Sequence, residues 1–177
     1  MKQKLEIEVK ARFTDFPSLI RKLTNLGCAF SQSITQQDAL FLPQGIQFKD
    51  ITIQTPVLRI RQEQDKNYFT LKKGKKLAKL EKEILVNNAK ELKEILELLN
   101  FHQVLQVIKT RRHCQYKGYT ICLDEVEGLG SFVEVEKISA EDPALVQEEL
   151  FTFLESLGIT RDMRETKGYD TLLYDKK

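Results

Sequence analysis

The chain is short of the residues that usually announce a catalytic centre. It has two histidines, His102 and His113, each inside a strand-like run, where a lone imidazole more often packs or meets solvent than turns over substrate. Its three cysteines, Cys28, Cys114 and Cys122, are odd in number and form no Cys-x-x-Cys pair, which gives neither a disulfide framework nor a zinc motif. No run approaches the ~18 apolar residues of a membrane-spanning helix. Met1-Lys2-Gln3-Lys4 leads directly into a strand without an apolar signal segment, so a cytoplasmic protein with no membrane partner is expected. The net charge is only +2, from 28 basic and 26 acidic side chains, which argues against a nucleic-acid partner. Gly128-Leu129-Gly130 lacks the spacing of a dinucleotide or Walker loop and has turn value alone.

With 177 residues, 41% apolar and 31% charged, the chain reads as one soluble domain over 1–177, long enough to bury a core. Because its charges nearly cancel, function must lie in their arrangement. Glu6-Ile7-Glu8-Val9-Lys10, Glu81-Lys82-Glu83 and Glu134-Val135-Glu136 each place two glutamates two residues apart. Arg59-Ile60-Arg61 and Lys109-Thr110-Arg111 do the same with cations. Strand side chains repeat every two residues, so each pair points to one face. Ile7, Val9, Val133 and Val135 fall on the opposite face.

Strands are expected at 3–12, 29–42, 56–64, 67–73, 79–86, 102–116, 118–126 and 130–138. Pro43 ends the second, and 43–55 reads as a loop. The lysine-rich run Lys72-Lys73-Gly74-Lys75-Lys76 reads as a solvated turn. A helix is expected over 15–26, with Phe16, Leu19, Ile20, Leu23 and Leu26 on one stripe, Thr14 or Asp15 as cap and Gly27 as stop. A second spans 89–100 after Asn87 or Asn88, with Leu92, Ile95, Leu96 and Leu99 as its stripe. A third starts at Asp142-Pro143 and ends near Gly158, with proline suited to the first helical position. A last helix is expected over 162–175. Eight strands joined mostly by short turns suit an α+β architecture, an eight-stranded antiparallel β-barrel with flanking helices.

A barrel with its charged face inward would line its lumen with both signs. Glu6, Glu8, Glu134 and Glu136, with Asp124 on the preceding strand, supply the oxygen ligands that hard divalent cations prefer. Lys10, Arg59, Arg61, Lys72, Lys109 and Arg111 supply phosphate partners, arginine as a two-toothed fork and lysine as a point charge. The same cations would also pair with the glutamates. The chemistry implied is electrostatic: hold a phosphate chain, neutralise it and stabilise the transition state.

These residues resemble the CYTH family, the triphosphate-tunnel enzymes. Glu6, Glu8 and Lys10 match its N-terminal Glu-x-Glu-x-Lys. Leu58-Arg59-Ile60-Arg61 matches a Leu-Arg-x-Arg strand, Thr70-Leu71-Lys72 a lysine strand, Glu81 and Glu83 an acidic strand, and Lys109 with Arg111 a Lys-x-Arg strand. The run from Leu123 to Glu136 is the most specific match. The resemblance implies that Glu6, Glu8, Asp124, Glu134 and Glu136 hold Mg²⁺ or Mn²⁺. It implies that Arg59, Arg61, Lys72, Glu81, Glu83, Lys109, Arg111 and Lys167 contact substrate, and that Lys10, Lys72 and Arg111 act in catalysis. Lys167-Gly168-Tyr169-Asp170 is similar to a C-terminal segment in the class IV adenylate cyclase-like subgroup, where a polar and aromatic pair closes the tunnel. The best-known bacterial members carry His-Phe-x-Pro where this chain reads Leu40-Phe41-Leu42-Pro43. The implied reaction is conversion of ATP to cyclic AMP and pyrophosphate. The alternatives are a triphosphatase acting on thiamine triphosphate, a nucleoside triphosphate or tripolyphosphate, and a non-catalytic module that binds nucleotide or polyphosphate. The family's flat barrel exteriors also imply pairing as a homodimer.

Overall fold

A computed structural model describes residues 4–75 and 78–176. Gln3, the expected start of the first strand, and Lys76, the end of the lysine-rich run, lie outside them; residues 72–75 of that run, expected as a turn, continue a strand. The elements run β1 (Leu5–Arg12), α1 (Phe16–Asn25), β2 (Ile34–Pro43), β3 (Val57–Glu63), β4 (Lys66–Lys75), β5 (Ala78–Val86), α2 (Ala89–Leu98), β6 (Phe101–Tyr116), β7 (Tyr119–Val126), β8 (Gly130–Ser139), α3 (Pro143–Ser156), β9 (Arg164–Glu165) and α4 (Tyr169–Tyr174). The class is α+β, as expected. Among the described residues no helix is long and apolar enough to cross a membrane.

The strands form one antiparallel sheet in the order β5-β4-β3-β2-β6-β7-β8-β1-β9. The sheet curls until β1 meets β5, and among the described residues the seam is paired at Glu6–Lys79 and Ile7–Ala78. Farther along β1, the same edge pairs with β9 at Lys10–Glu165 and Ala11–Arg164. The described residues therefore form nine strands, and they do not close the barrel along its length. β9 falls where the sequence suggested one helix over 162–175. Its pairing with β1 breaks that segment, and Gly168 in extended backbone starts the short α4.

Local sequence explains most turns and caps. Lys117 and Gly118 take φ of +48° and +85°, the left-handed pair that a two-residue hairpin needs between Tyr116 and Tyr119. Asp15 caps α1 by accepting from the Ser18 amide at 3.1 Å, and Asn88 caps α2 through Glu91 at 3.1 Å. Asp142 caps α3 through Ala144 at 2.8 Å. Each satisfies an amide that the first helical turn leaves unpaired. β2 begins five residues later than expected, because Ser31 is held separately. Its amide donates to the His113 carbonyl at 2.8 Å, and its hydroxyl accepts from the His113 amide at 3.0 Å.

The apolar faces of the strands lie outside the barrel, under helices. Ile7, Val9, Val133 and Val135 are fully buried with Leu19 and Leu23 of α1 and with Leu150 and Leu154 of α3. Leu96 of α2 packs with Phe41, Leu58 and Ile60. The expected α2 stripe is only partly covered, since Ile95 and Leu99 remain exposed. A third cluster of Leu40, Leu105, Val126, Phe132 and Tyr169 joins α4 to the barrel. With the apolar faces turned outward, period-two alternation leaves the charged faces no place but the lumen.

Candidate active site in the barrel lumen

The lumen holds a cavity of about 340 Å³. Its wall includes Glu6, Glu8 and Lys10 from β1, Arg59 and Arg61 from β3, Lys72 from β4, and Glu81 and Glu83 from β5. Lys109 and Arg111 come from β6, and Glu134 and Glu136 from β8. Residues more than a hundred positions apart thus share one space, because β1 pairs with β8 in the register Glu8–Glu136 and Lys10–Glu134.

The acidic groups divide in two. Glu6, Glu8 and Glu136 bring carboxylate oxygens within 4.8 Å of one another. The Glu6 carboxyl is pushed above its ordinary value by burial, then by Glu81 and Glu8, against Lys72 and Arg59. Glu136 is pushed up to about 8, first by burial and then by Glu134, Glu8 and Glu6, although Arg111 opposes this. Its side chain is 18% exposed and lines the lumen. Burial and neighbouring carboxylates thus disfavour the charged forms of Glu6 and Glu136, and a clustered set of carboxylate oxygens fits a hard divalent cation. Glu134 behaves otherwise. Burial raises its carboxyl, but Lys10, Arg111 and Lys109 outweigh burial and hold it well below the usual range. It pairs with Lys10 at 2.7 Å and with Arg111.

Asp124 departs further from the expected metal set. It is fully buried and lies behind the cavity wall. It accepts from Lys109 at 3.1 Å, from Arg111 Nε and Nη2 at 2.6 Å each, and from the Tyr169 hydroxyl at 3.0 Å. Burial raises its carboxyl, and Lys109 and Arg111 bring it below the ordinary value. With its oxygens bonded by two cations and a hydroxyl, Asp124 orients Lys109 and Arg111 and is not gathered with Glu6, Glu8 and Glu136.

The basic wall is likewise tied down. Arg61 forms a two-toothed pair with Asp38 at 2.7 and 2.8 Å, and Arg59 lies 3.7 Å from the same carboxylate. Burial pushes the Asp38 carboxyl up, but the Arg61 bond and charge hold it far below its usual range. Arg59 also donates to Thr70 at 3.1 Å and to Glu83 at 3.0 Å, while Lys72 pairs with Glu81. Lys10 is 1% exposed; Glu134 and Glu8 overcome its burial and raise its pKa.

Of the cavity-lining residues that the sequence reading did not assign to the site, Asp38 and Tyr169 hold its charged groups. Asp38 sits opposite Arg61 in the β2–β3 register, and the alternation Gln36, Asp38, Leu40 was the available signal. Tyr169 appeared only within the C-terminal resemblance. It reaches the cavity from α4, with the Lys10 Nζ 4.1 Å from its ring centre and the Phe132 ring edge-on at 5.0 Å. Lys167, expected at the substrate, lies outside the cavity wall, exposed and paired with Asp175 at 2.8 Å. His113 bonds Ser31 at 3.2 Å, and His102 stands away from the cavity, in keeping with structural roles.

Residues 4–169 match the family model described as the CYTH domain. A Methanocaldococcus jannaschii protein named "Putative adenylate cyclase" is 32% identical over 174 residues, covering 93% of this chain and 96% of that one. A solved structure of a Pyrococcus horikoshii protein superposes with a TM-score of 0.81 at 30% identity, covering 97% of this chain and 99% of that one. A Hippeastrum structure, titled as an adenylyl cyclase candidate with dominant triphosphatase activity, has the same fold. Its TM-score is 0.64 at 18% identity, covering 98% of this chain and 95% of that one.

Proposed function

Because this chain belongs to the CYTH domain family, we propose that its lumen is the active site of a metal-dependent enzyme acting on an organic triphosphate, and that the reaction is cyclisation of ATP to cyclic AMP and pyrophosphate. The division of one lumen between a cluster of three carboxylates and a ring of cations carries this reading. Glu6, Glu8 and Glu136 gather within 4.8 Å, and Arg59, Arg61, Lys72, Lys109 and Arg111 share the same cavity. Binding of a polyanion alone would not need three carboxylates beside it.

Mg²⁺ or Mn²⁺ fits the trio by ligand type. When bound there, such a cation would neutralise phosphate oxygens and polarise the phosphorus under attack. The chain's own groups do the rest. Arginine forks at 59, 61 and 111 grip phosphate oxygens in pairs, and Lys72 and Lys109 add point charges. Lys10, between Glu8 and Glu134, stands beside the metal carboxylates and stabilises charge that develops at the reacting phosphorus. Each of these cations already holds a carboxylate, so a ligand must exchange several ion pairs at once. A triphosphate carries enough charge to do so, and a monophosphate does not.

The M. jannaschii relative's name supports cyclisation, as do the retained Phe41 and Pro43 and the C-terminal segment. A second reading, hydrolysis of the terminal phosphate, is favoured by Leu40. This apolar side chain lines the cavity where the best-known cyclases carry histidine, and the Hippeastrum neighbour's reported activity points the same way. Purified protein should be incubated with Mg²⁺ or Mn²⁺ and ATP, thiamine triphosphate and tripolyphosphate, and its products separated. Cyclic AMP and pyrophosphate in equal amounts are expected. ADP or thiamine diphosphate with orthophosphate, and no cyclic product, would overturn cyclisation and leave the metal tunnel standing. Tight binding without turnover of any of the three would overturn both in favour of a binding module.

A further inference from the structure

We propose that Tyr169 is a positioning residue with two separable tasks: its ring seats the Lys10 ammonium, and its hydroxyl, through Asp124, aims Lys109 and Arg111. This rests on the reading of the lumen as a triphosphate site. An ammonium has three donors. Those of Lys10 meet Glu134 at 2.7 Å and Glu8 at 3.3 Å, and the Tyr169 ring lies 4.1 Å away. An aromatic face attracts a cation without neutralising it. The ring therefore fixes the ammonium while leaving its charge available, which a third carboxylate would not do. The Lys109 ammonium lies 5.2 Å from the same ring.

The hydroxyl acts one bond farther out. Asp124 Oδ2 accepts from Lys109, Arg111 and Tyr169 at once, while Oδ1 accepts from Arg111 Nε. A carboxylate turns about its bond to the chain, and the phenol donor is the one contact here that comes from outside β6. It fixes the angle at which Asp124 presents itself to the two cations. The phenol is buried beside Glu134 and Asp124 and is held well above its ordinary pKa, so it remains a donor. Tyr169 also packs against Phe132, so a purely structural role must be separated from these two tasks.

Tyr169→Phe and Tyr169→Leu in the full chain separate them. Phenylalanine keeps the ring and the packing, so Lys10 should stay seated. Tripolyphosphate binding, measured by calorimetry, should weaken about 3- to 10-fold, as loss of one buried hydrogen bond implies, and KM for ATP should rise more than kcat falls. Leucine removes the ring, so kcat should fall about tenfold or more. The Lys10 ε-methylene protons should lose the upfield ring-current shift that they show by NMR in the parent and in Tyr169→Phe. That signal and tripolyphosphate binding need no turnover, so failure of the proposed reaction would not be mistaken for failure here. Unaltered tripolyphosphate binding in Tyr169→Phe would overturn the hydroxyl's task. Lys10 resonances without a ring-current shift in the parent would overturn the ring's task, even if Tyr169→Leu fails to fold.

Discussion

Glu134 and Glu136 lie two residues apart on one strand face, yet the lumen treats them oppositely. Glu134 is neutralised by Lys10 and Arg111, whereas Glu136 has only a 3.8 Å approach from Arg111 and joins Glu6 and Glu8. Their substitutions should therefore fail differently. Glu136→Gln should cut the rate on the order of 10²-fold or more by removing an oxygen ligand, with part of the loss recovered at high Mg²⁺ or Mn²⁺. Glu134→Gln should lose activity by freeing Lys10 and Arg111, with no recovery from added metal. Equal rescue of both in a metal titration would return Glu134 to the metal set. The alternation of residue types was enough to put both glutamates in one lumen. It could not tell ligand from ion-pair partner, because that depends on which cation the facing strand presents. Nor could it show that Asp124 bonds Lys109 and Arg111, and Asp38 was missed because its partner Arg61 lies 23 residues away. Lys167, two positions from Tyr169, faces Asp175 because the segment there is too short and irregular for alternation to predict direction.

Among the elements, β1 was the most legible and β9 the least. β1 has charge on one face and apolar residues on the other, and both faces are used as that pattern dictates. β9 is two residues long and exists because β1 has a free edge; nothing in Arg164-Glu165 alone signals it. The helices differ in what they cover. Leu150 and Leu154 of α3 are fully buried, so Leu150→Ala should cost about 2–5 kcal/mol, read as a lower urea midpoint with an unchanged slope. α2 leaves Ile95 and Leu99 exposed and should tolerate changes there. Among the described residues β5 is paired along its length with β4 but with β1 at two positions, so most of its outer edge is unpaired. Its amides at residues 80–86 should exchange with solvent faster than those of β7 and β8, which are paired on both sides; slower exchange in β5 would show a tighter seam.

For the molecule as a whole, the lumen couples stability to pH in both directions. Asp38, Asp124 and Glu134 have depressed carboxyls. Their contribution is present above the unfolded value and is lost as pH falls through the acid range. Glu6 and Glu136 have raised carboxyls, and Glu136 titrates near 8 against an ordinary 4.5. Between those values the native state holds more protons than the unfolded chain, so this contribution is lost as pH rises. Metal-free protein should therefore unfold at lower urea at pH 8.5 than at pH 6, and a divalent cation should narrow the gap. A gap unchanged by metal would show that the trio is not where the cation binds. The same fold also leaves a selvedge. Among the described residues the hoop is joined over two pairs, which keeps part of β5 as a sheet margin, and such margins recruit strands from neighbouring chains. Ile84 and Leu85 are exposed on that margin and would welcome such company; Lys82 and Glu83, beside them in the chain, supply the charge that discourages it. The joint that lets the tunnel curl is thus also the place where crowding would stitch one copy to the next, and two charged residues keep the thread from catching.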